Sequence, residues 1–142
     1  MENDRYVELH QLPKVTNKSK LYCALPGEQQ IYYGHAVFND KELFKVIQVR
    51  KGHIRKKDLT YVLMYKKSEV LLRIDLVGAT HRGIPTPHVH IFDDEHDNGF
   101  LAIPLDKLEK YNLTEDIIES LQEFLKYNNF DINELSIEQK LI

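Results

Sequence analysis

The spacing of hydrophobic positions changes about two-thirds of the way along the chain. In the first part, short apolar and aromatic runs alternate with polar or Gly/Pro-containing turns, a pattern typical of β-strands. The runs predict strands over residues 21–25, 30–38, 43–50, 59–65, 69–77, 88–92 and 100–103. Pro26-Gly27 favours a hairpin between the first two, because proline and glycine supply the dihedral angles of a tight turn.

The last third has helical spacing instead. Thr114 is a suitable N-cap, and apolar residues follow at positions 117, 118, 121, 124 and 125, which share one helix face. Ile132, Leu135 and Leu141 indicate a second, short helix. Strands followed by helices predict an α+β fold: a mainly antiparallel meander of about six or seven strands with C-terminal helices packed on one face. We expect one domain over residues 1–142, with a polar segment 1–20, a β-rich part 21–103 and a helical part 104–142.

Composition narrows the function classes. A formal charge of −3 over 142 residues argues against a globally basic nucleic-acid binder, although a local basic patch remains compatible with it. Cys23 is the only cysteine, so no intrachain disulfide can form. The N-terminus lacks the positive and apolar regions of a secretory signal, and no apolar run is long enough to span a bilayer. The expected location is cytoplasmic, without membrane contact.

The polar residues with chemical potential lie between Leu71 and Phe92. Because strand side chains alternate between faces, Arg73 and Asp75 share one face of their strand and His88 and His90 share one face of theirs. Three interpretations follow. The residues can be a structural ion pair and two structural histidines. His88 and His90 can bind a divalent metal, with Asp75 or His81 as third ligand. They can also form a metal-free acid/base site.

Basic residues flank this stretch. In a simple meander, loops 51–58 and 78–87 lie at the same end of the sheet. These loops and the adjoining strand end contribute Arg50, Lys51, His53, Arg55, Lys56, Lys57, His81 and Arg82. Such a rim would attract a phosphate-bearing partner. The alternative is that the lysine-rich loop only keeps the protein soluble.

The segment P-H-V-H-I-F carries a histidine–hydrophobe–histidine pattern that resembles the metal-binding core of the HUH endonucleases. The resemblance implies that His88 and His90 hold a divalent ion and that Tyr127 attacks a DNA phosphodiester. The chain lacks the helix which that family places between its earlier strands. The same tripeptide resembles the histidine triad hydrolases, but the third alternating position is Phe92.

A broader resemblance rests on L-L-R-I-D, T-H-R, P-H-V-H-I-F, A-I-P-L and F-L-K-Y-N-N, between residues 59 and 130. These segments resemble a family of uncharacterised small proteins from Gram-positive bacteria and their phages. The P-H-V-H strand is also similar to that of a family encoded in toxin–antitoxin-like gene pairs. The resemblances imply a setting in mobile elements or phage–host conflict, and no activity.

Taken together, the sequence predicts a small protein that engages RNA or DNA, with a phosphodiester-cleaving activity as its sharpest form. His88 and His90 would be the acid/base or metal-ligand pair, with Asp75 orienting a histidine. Arg73 or Arg82 would neutralise phosphate charge. The alternative is a non-catalytic inhibitor of a host defence protein, bound through exposed aromatic residues such as Tyr32, Tyr33 or Tyr61.

Overall fold

The protein is described by a computed structural model over residues 1–51, 58–77 and 83–140. The described helices are α1 (Asn3–Gln11) and α2 (Ile117–Tyr127), with 3₁₀ turns at Asp94–Gly99 and Leu105–Lys107. The described strands are β1 (Lys14–Thr16), β2 (Lys20–Cys23), β3 (Gln29–Ala36), β4 (Asn39–Val49), β5 (Leu59–Tyr65), β6 (Glu69–Val77), β7 (His88–Ile91), β8 (Ala102–Pro104) and β9 (Ser136–Gln139). Neither described α-helix is both long and apolar enough to cross a membrane.

Seven strands form one antiparallel sheet in the order β1-β3-β4-β5-β6-β7-β8. From β3 to β8 each strand pairs with the next in sequence, so this part is a meander. The predicted α+β class with a largely antiparallel sheet is therefore confirmed. The strands β4, β5, β6 and β7 have termini at the same end of the sheet, where Val49 pairs with Thr60 and Asp75 pairs with His88.

One face of the sheet carries the core. Buried strand residues on this face include Val46, Tyr61 and Ile74, and the Tyr61 ring stacks on Phe124 of α2 at a centroid distance of 4.9 Å. The apolar stripe of α2 thus packs where its spacing predicted, on the sheet. Helix α1 adds Tyr6 and Leu9 to the same core.

The opposite face is open, and its side chains are mostly half-buried or exposed. Register places side chains on it in rows across the strands, because directly paired residues point to the same side. One row is Ile31, Ile47, Val62, Arg73 and His90. A neighbouring row holds Val49, Thr60, Asp75 and His88.

The predicted hairpin and the predicted last helix are both wrong. Strands β2 and β3 do not form a hairpin; β2 instead pairs in parallel with β9, with Lys20 opposite Ser136. The reason lies after the Pro26-Gly27 turn, where the Gly27 amide donates to Arg50 and the Arg50 amide donates to Glu28, which ties the chain to β4. Strand β9 also replaces the predicted last helix, since three apolar residues do not define a helical period.

The N-terminal segment and the start of α2 also differ from expectation. Residues 3–11 form a helix although the segment is polar, because Tyr6 and Leu9 are three apart and both reach the core. Asp116 caps α2, accepting a hydrogen bond from the Glu119 amide at 2.9 Å. Thr114 lies before this cap, so the helix begins later than predicted.

Candidate functional site

Strands β6 and β7 bring together the four polar side chains that the sequence placed on one surface. Asp75 is directly opposite His88 and Arg73 is directly opposite His90 in the antiparallel register. Since Arg73 and Asp75 are two residues apart on one strand, as are His88 and His90, all four side chains emerge on the open face. We call these four residues the polar cluster.

Asp75 is the common acceptor of the polar cluster. Its Oδ2 lies 2.8 Å from His88 Nε2 and accepts from Arg73 Nη2 at 3.0 Å, while its Oδ1 accepts from the Thr60 hydroxyl at 2.8 Å. Burial by itself would raise the pKa of Asp75. The hydrogen bonds from His90, Thr60 and His88 and the charge of Arg73 outweigh burial and hold that pKa well below its usual range. Asp75 is therefore a carboxylate at neutral pH.

The two ring nitrogens of His90 differ in their hydrogen bonding: Nδ1 contacts a carbonyl oxygen, and Nε2 contacts the side chains of Arg73 and Asp75. Its Nδ1 lies 2.8 Å from the carbonyl oxygen of Gly99, which can only accept, so Nδ1 carries a proton. Its Nε2 lies 2.9 Å from Arg73 Nη2 and 3.4 Å from Asp75 Oδ2. A neutral ring accepts from Arg73 at Nε2, whereas a protonated ring donates to Asp75. The Nε2 atom therefore has a hydrogen-bond partner in either protonation state of the ring.

The turn before β8 presents the carbonyl group that orients His90. Gly99 has φ +88°, and a Cβ atom at this position would lie 2.5 Å from the Phe92 ring. Only glycine combines this backbone angle with the close approach to Phe92. The D-N-G segment at 97–99 is a turn signal in the sequence, but nothing in it indicates that its carbonyl binds a histidine.

Exposure differs sharply within the polar cluster. The side chains of His88, His90 and Asp75 are 1%, 2% and 14% exposed, whereas that of Arg73 is 37% exposed. Its Nη2 is bound to Asp75 and His90, and its Nε is buried without a hydrogen-bond partner among the described residues. Arg73 is therefore the member of the polar cluster that an incoming anion meets first.

The donor set of the polar cluster fits a divalent transition metal. Asp75, His88 and His90 each offer one ligand atom, and these atoms lie within 4.8 Å of one another. Two histidines and one carboxylate suit zinc, iron(II) or manganese, with open positions for water or substrate. The Gly99 carbonyl on His90 and the Thr60 hydroxyl on Asp75 are partners of the kind that orient metal ligands. However, Arg73 Nη2 lies about 3 Å from two of the ligand atoms, so the guanidinium group occupies the position that a metal ion would need.

Most of the chain matches a known family model, which covers residues 1–130. The chain belongs to a family of unknown function, DUF6978. The match includes the first forty residues, which the resemblance seen in the sequence did not cover. No curated protein and no solved structure matches the chain. Membership in DUF6978 assigns no activity, so function has to be inferred from the geometry of the site.

The predicted basic rim is only partly within the described residues. The described part of the chain does not include His53, Arg55, Lys56, Lys57, His81 and Arg82. Arg50 is half-buried and donates from Nη1 to the Ala24 carbonyl at 2.7 Å, so it holds the segment just after β2 against the end of β4. Lys51 is exposed. A binding role for these residues stays a prediction.

The structure does not reproduce the arrangement implied by the HUH resemblance. Tyr127 is on α2, which packs on the core face, whereas His88 and His90 are on the open face. The Tyr127 ring packs against His10 and Tyr111, and burial raises the pKa of its hydroxyl. The tyrosine is thus separated from the polar cluster by the sheet.

Of the aromatic residues predicted to be exposed, only Tyr33 is. Tyr32 and Tyr61 are 5% and 0% exposed, because they occupy core-facing positions of β3 and β5. A second group that could hold a metal, formed by Asp93, Glu95 and His96, closes the turn at 94–99. There Asp93 Oδ1 caps the His96 amide at 2.9 Å and contacts His96 Nδ1 at 2.6 Å. This explains the second group structurally.

Proposed function

We propose that the polar cluster engages a phosphodiester of RNA or DNA, with Arg73 binding the phosphate and His90 acting as acid and base. The observation that carries the proposal is the position of Arg73. It is the exposed member of the cluster, and its Nη2 covers the Nε2 atom of His90 at 2.9 Å. A guanidinium group suits the two-point binding of a phosphate.

Binding at Arg73 would also activate His90. When the guanidinium group turns toward a phosphate, Nη2 leaves Nε2, and the lone pair of a neutral imidazole becomes available to a proton. Asp75 lies 3.4 Å away and stabilises the imidazolium that forms. Since Asp75 also contacts His88 at 2.8 Å, a single carboxylate fixes both rings. The site thus couples phosphate binding to the basicity of His90.

RNA is the substrate that this chemistry favours, because its 2′-hydroxyl supplies the nucleophile. His90 Nε2 would take the proton of that hydroxyl, and the 2′-oxygen would bond to phosphorus. The bond from phosphorus to the 5′-oxygen then breaks, and that oxygen takes up a proton from His88 or from water. General acid–base catalysis of this kind contributes about 10²–10⁴-fold to a rate.

The test is cleavage of labelled single-stranded RNA and DNA of one sequence, with EDTA or with Mn²⁺. Wild type is compared with Arg73→Gln and His90→Gln, which keep polar side chains at both positions. Arg5→Gln is the matched control, since Arg5 is 42% exposed and also bonds a neighbouring side chain, that of Tyr65. Circular dichroism establishes that each variant is folded.

We expect wild type and Arg5→Gln to cleave RNA in EDTA, and both cluster variants to lose at least a hundredfold in rate. Cleavage that EDTA abolishes would replace the acid/base mechanism with a metal-dependent one at the same residues. Absence of cleavage by wild type, both in EDTA and with Mn²⁺, would contradict the proposal.

A non-catalytic binding protein is the second candidate, favoured by the burial of both histidines. Their side chains are 1% and 2% exposed, as structural histidines often are. In this case the open face would dock on a partner protein, and the cluster would only support the sheet. This candidate predicts that His90→Gln still binds the partner protein and that wild type does not cleave RNA or DNA.

A further inference from the structure

A groove between β2 and β3 combines exposed aromatic rings with lysines. It has a volume of about 310 Å³, and Tyr22 and Tyr33 line it together with Ile31. Lys18, Lys20 and Lys140 also line it. Tyr22 and Tyr33 are 40% and 58% exposed. The groove thus offers two ring faces and three positive charges at one concave place.

Strand alternation holds these two rings outward. Tyr22 lies between the buried residues Leu21 and Cys23, and Tyr33 follows the buried Tyr32. Neither outward ring can therefore turn into the core without a one-residue slip of its strand. Lys20 Nζ lies 5.9 Å above the Tyr22 ring and 3.8 Å from Glu138, an exposed ion pair that contributes little energy. The Lys20 ammonium group is thus available to an external anion.

We infer that this groove binds a single-stranded segment of nucleic acid, with bases stacked on Tyr22 and Tyr33 and phosphates beside the three lysines. Sites for single strands combine aromatic stacking with a positively charged groove in this way. Unstacked bases can enter a concave groove, whereas a duplex keeps its bases paired and stacked inside. The inference deepens the proposed function and rests on it for one point, that the polar cluster acts on the same strand.

The open face connects the groove to the polar cluster. Ile31 in the groove is in register with Ile47, Val62 and Arg73, three strand spacings or about 14 Å away. Among the described residues of β3 to β7 that point to this face, Asp75 is the only acidic one, and it is already paired. Lys45 adds a positive charge opposite Tyr33. A single strand of nucleic acid held in the groove can therefore extend across β3 to β6 to Arg73 without meeting an unpaired carboxylate on these strands.

The test measures binding of a short fluorescein-labelled oligothymidylate to the full chain by fluorescence anisotropy. DNA is chosen because it lacks the 2′-hydroxyl, so binding is read without cleavage. Variants are Tyr22→Ala, Tyr33→Ala, the conservative Tyr33→Phe, and Lys18→Ala with Lys20→Ala. Phe38→Ala is the matched control, because Phe38 is an aromatic residue, 89% exposed, that does not line the groove.

We expect each tyrosine-to-alanine change to weaken binding about tenfold, and Tyr33→Phe and Phe38→Ala to leave it unchanged. Removal of the two lysines should reduce the slope of log affinity against log salt by roughly 1.4. A labelled hairpin duplex should bind more weakly than the single strand.

The inference is overturned if wild type does not bind, if the duplex binds equally well, or if the groove variants bind like wild type. Binding of an unrelated acidic peptide that competes equally with the oligonucleotide would overturn it too. The two proposals fail separately. If wild type does not cleave RNA but binds the oligothymidylate through the groove, only the catalytic proposal fails. If wild type cleaves RNA but the groove variants bind the oligothymidylate like wild type, only this inference fails.

Discussion

At the scale of single residues, the polar cluster depends on how one cation is shared. Arg73 Nη2 contacts both Asp75 Oδ2 and His90 Nε2, so its charge compensates the carboxylate and protects the imidazole lone pair. A divalent metal would compete for the same atoms. Whether the cluster is an acid/base site or a metal site therefore depends on whether the Arg73 guanidinium group or a metal ion occupies this position.

Replacing Arg73 by alanine should turn the cluster into a better metal site. With the guanidinium group absent, Thr60 still orients Asp75 and the Gly99 carbonyl still orients His90, and Arg73 no longer competes with a metal ion for the ligand atoms. We expect Arg73→Ala to bind Co²⁺ or Zn²⁺ at least tenfold more tightly than wild type, as measured by cobalt absorption and by calorimetry. The double variant Arg73→Ala/His90→Gln should lose this gain, and EDTA should reverse it. Equal affinity of wild type and Arg73→Ala would contradict the competition.

The sequence could predict which residues share the cluster, but not how they are bonded. Period-two alternation is enough to place Arg73 and Asp75 on one face of β6, because both flank an aliphatic core position. The partners Thr60 and Gly99 carry no such signal. Thr60 reaches Asp75 only through the register of β5 and β6, and Gly99 contributes a backbone atom whose position depends on the Phe92 ring.

At the scale of elements, Lys14 joins three of them. It is on β1 and fully buried, and its Nζ donates to three carbonyl groups at 2.7–3.0 Å: those of His10 and Leu12 at the end of α1 and that of Asn128 just after α2. The ammonium group also lies 4.9 Å above the Phe44 ring. Burial lowers the pKa of Lys14 to about 7. The lysine thus satisfies helix-end carbonyls that have no partner within their helices.

Lys14→Met should destabilise the fold by on the order of 2–3 kcal/mol. The methionine keeps most of the apolar volume but leaves buried carbonyl oxygens without donors. Urea unfolding at pH 6, where the lysine is charged, measures the effect. Lys126→Met is the control, because Lys126 is exposed on α2 and should change stability by less than about 0.5 kcal/mol. Unchanged stability of Lys14→Met would mean that the cost of burying the ammonium group equals its hydrogen bonding.

The elements that the sequence predicted well are those with local signals. The meander strands β3 to β7 have clear alternation in the sequence, and the stripe of α2 has five apolar positions in helical spacing. The pairing of β2 with β9 has no local signal, because these strands are more than a hundred residues apart. Helix α1 was missed because its two core residues, Tyr6 and Leu9, are outnumbered by polar ones.

At the scale of the whole molecule, the two faces of the sheet differ in what covers them and in the side chains they carry. The helices cover one face and supply the core, so the other face can remain open and carry polar and basic groups. The net charge of −3 hides this division, because it averages over both faces. The net charge alone therefore does not show that Asp75 is the only acidic residue among the described residues of β3 to β7 that point to the open face.

The core face contains its own titrating group, His10. Its Nε2 lies 3.0 Å from Asn128 Oδ1, and its ring stacks on Tyr6 at 5.5 Å. Burial, helped by the charge of Lys14 and opposed by the bond to Asn128, lowers the pKa of His10 to about 4. In the unfolded chain the value is about 6.5. Between these two values the unfolded chain binds a proton that the folded protein does not.

The free energy of unfolding should therefore fall as pH decreases from about 6.5 to about 4, by up to about 3 kcal/mol. Below the lower value both states are protonated at this residue, so its contribution no longer changes. Urea unfolding across this range in wild type and His10→Gln isolates the effect, because glutamine can keep the bond to Asn128 and does not titrate. As pH decreases, wild type should lose more stability than His10→Gln. A wild-type curve parallel to that of His10→Gln would mean that the folded protein protonates His10 as readily as the unfolded chain, and that the contact between α1 and α2 tolerates the charge.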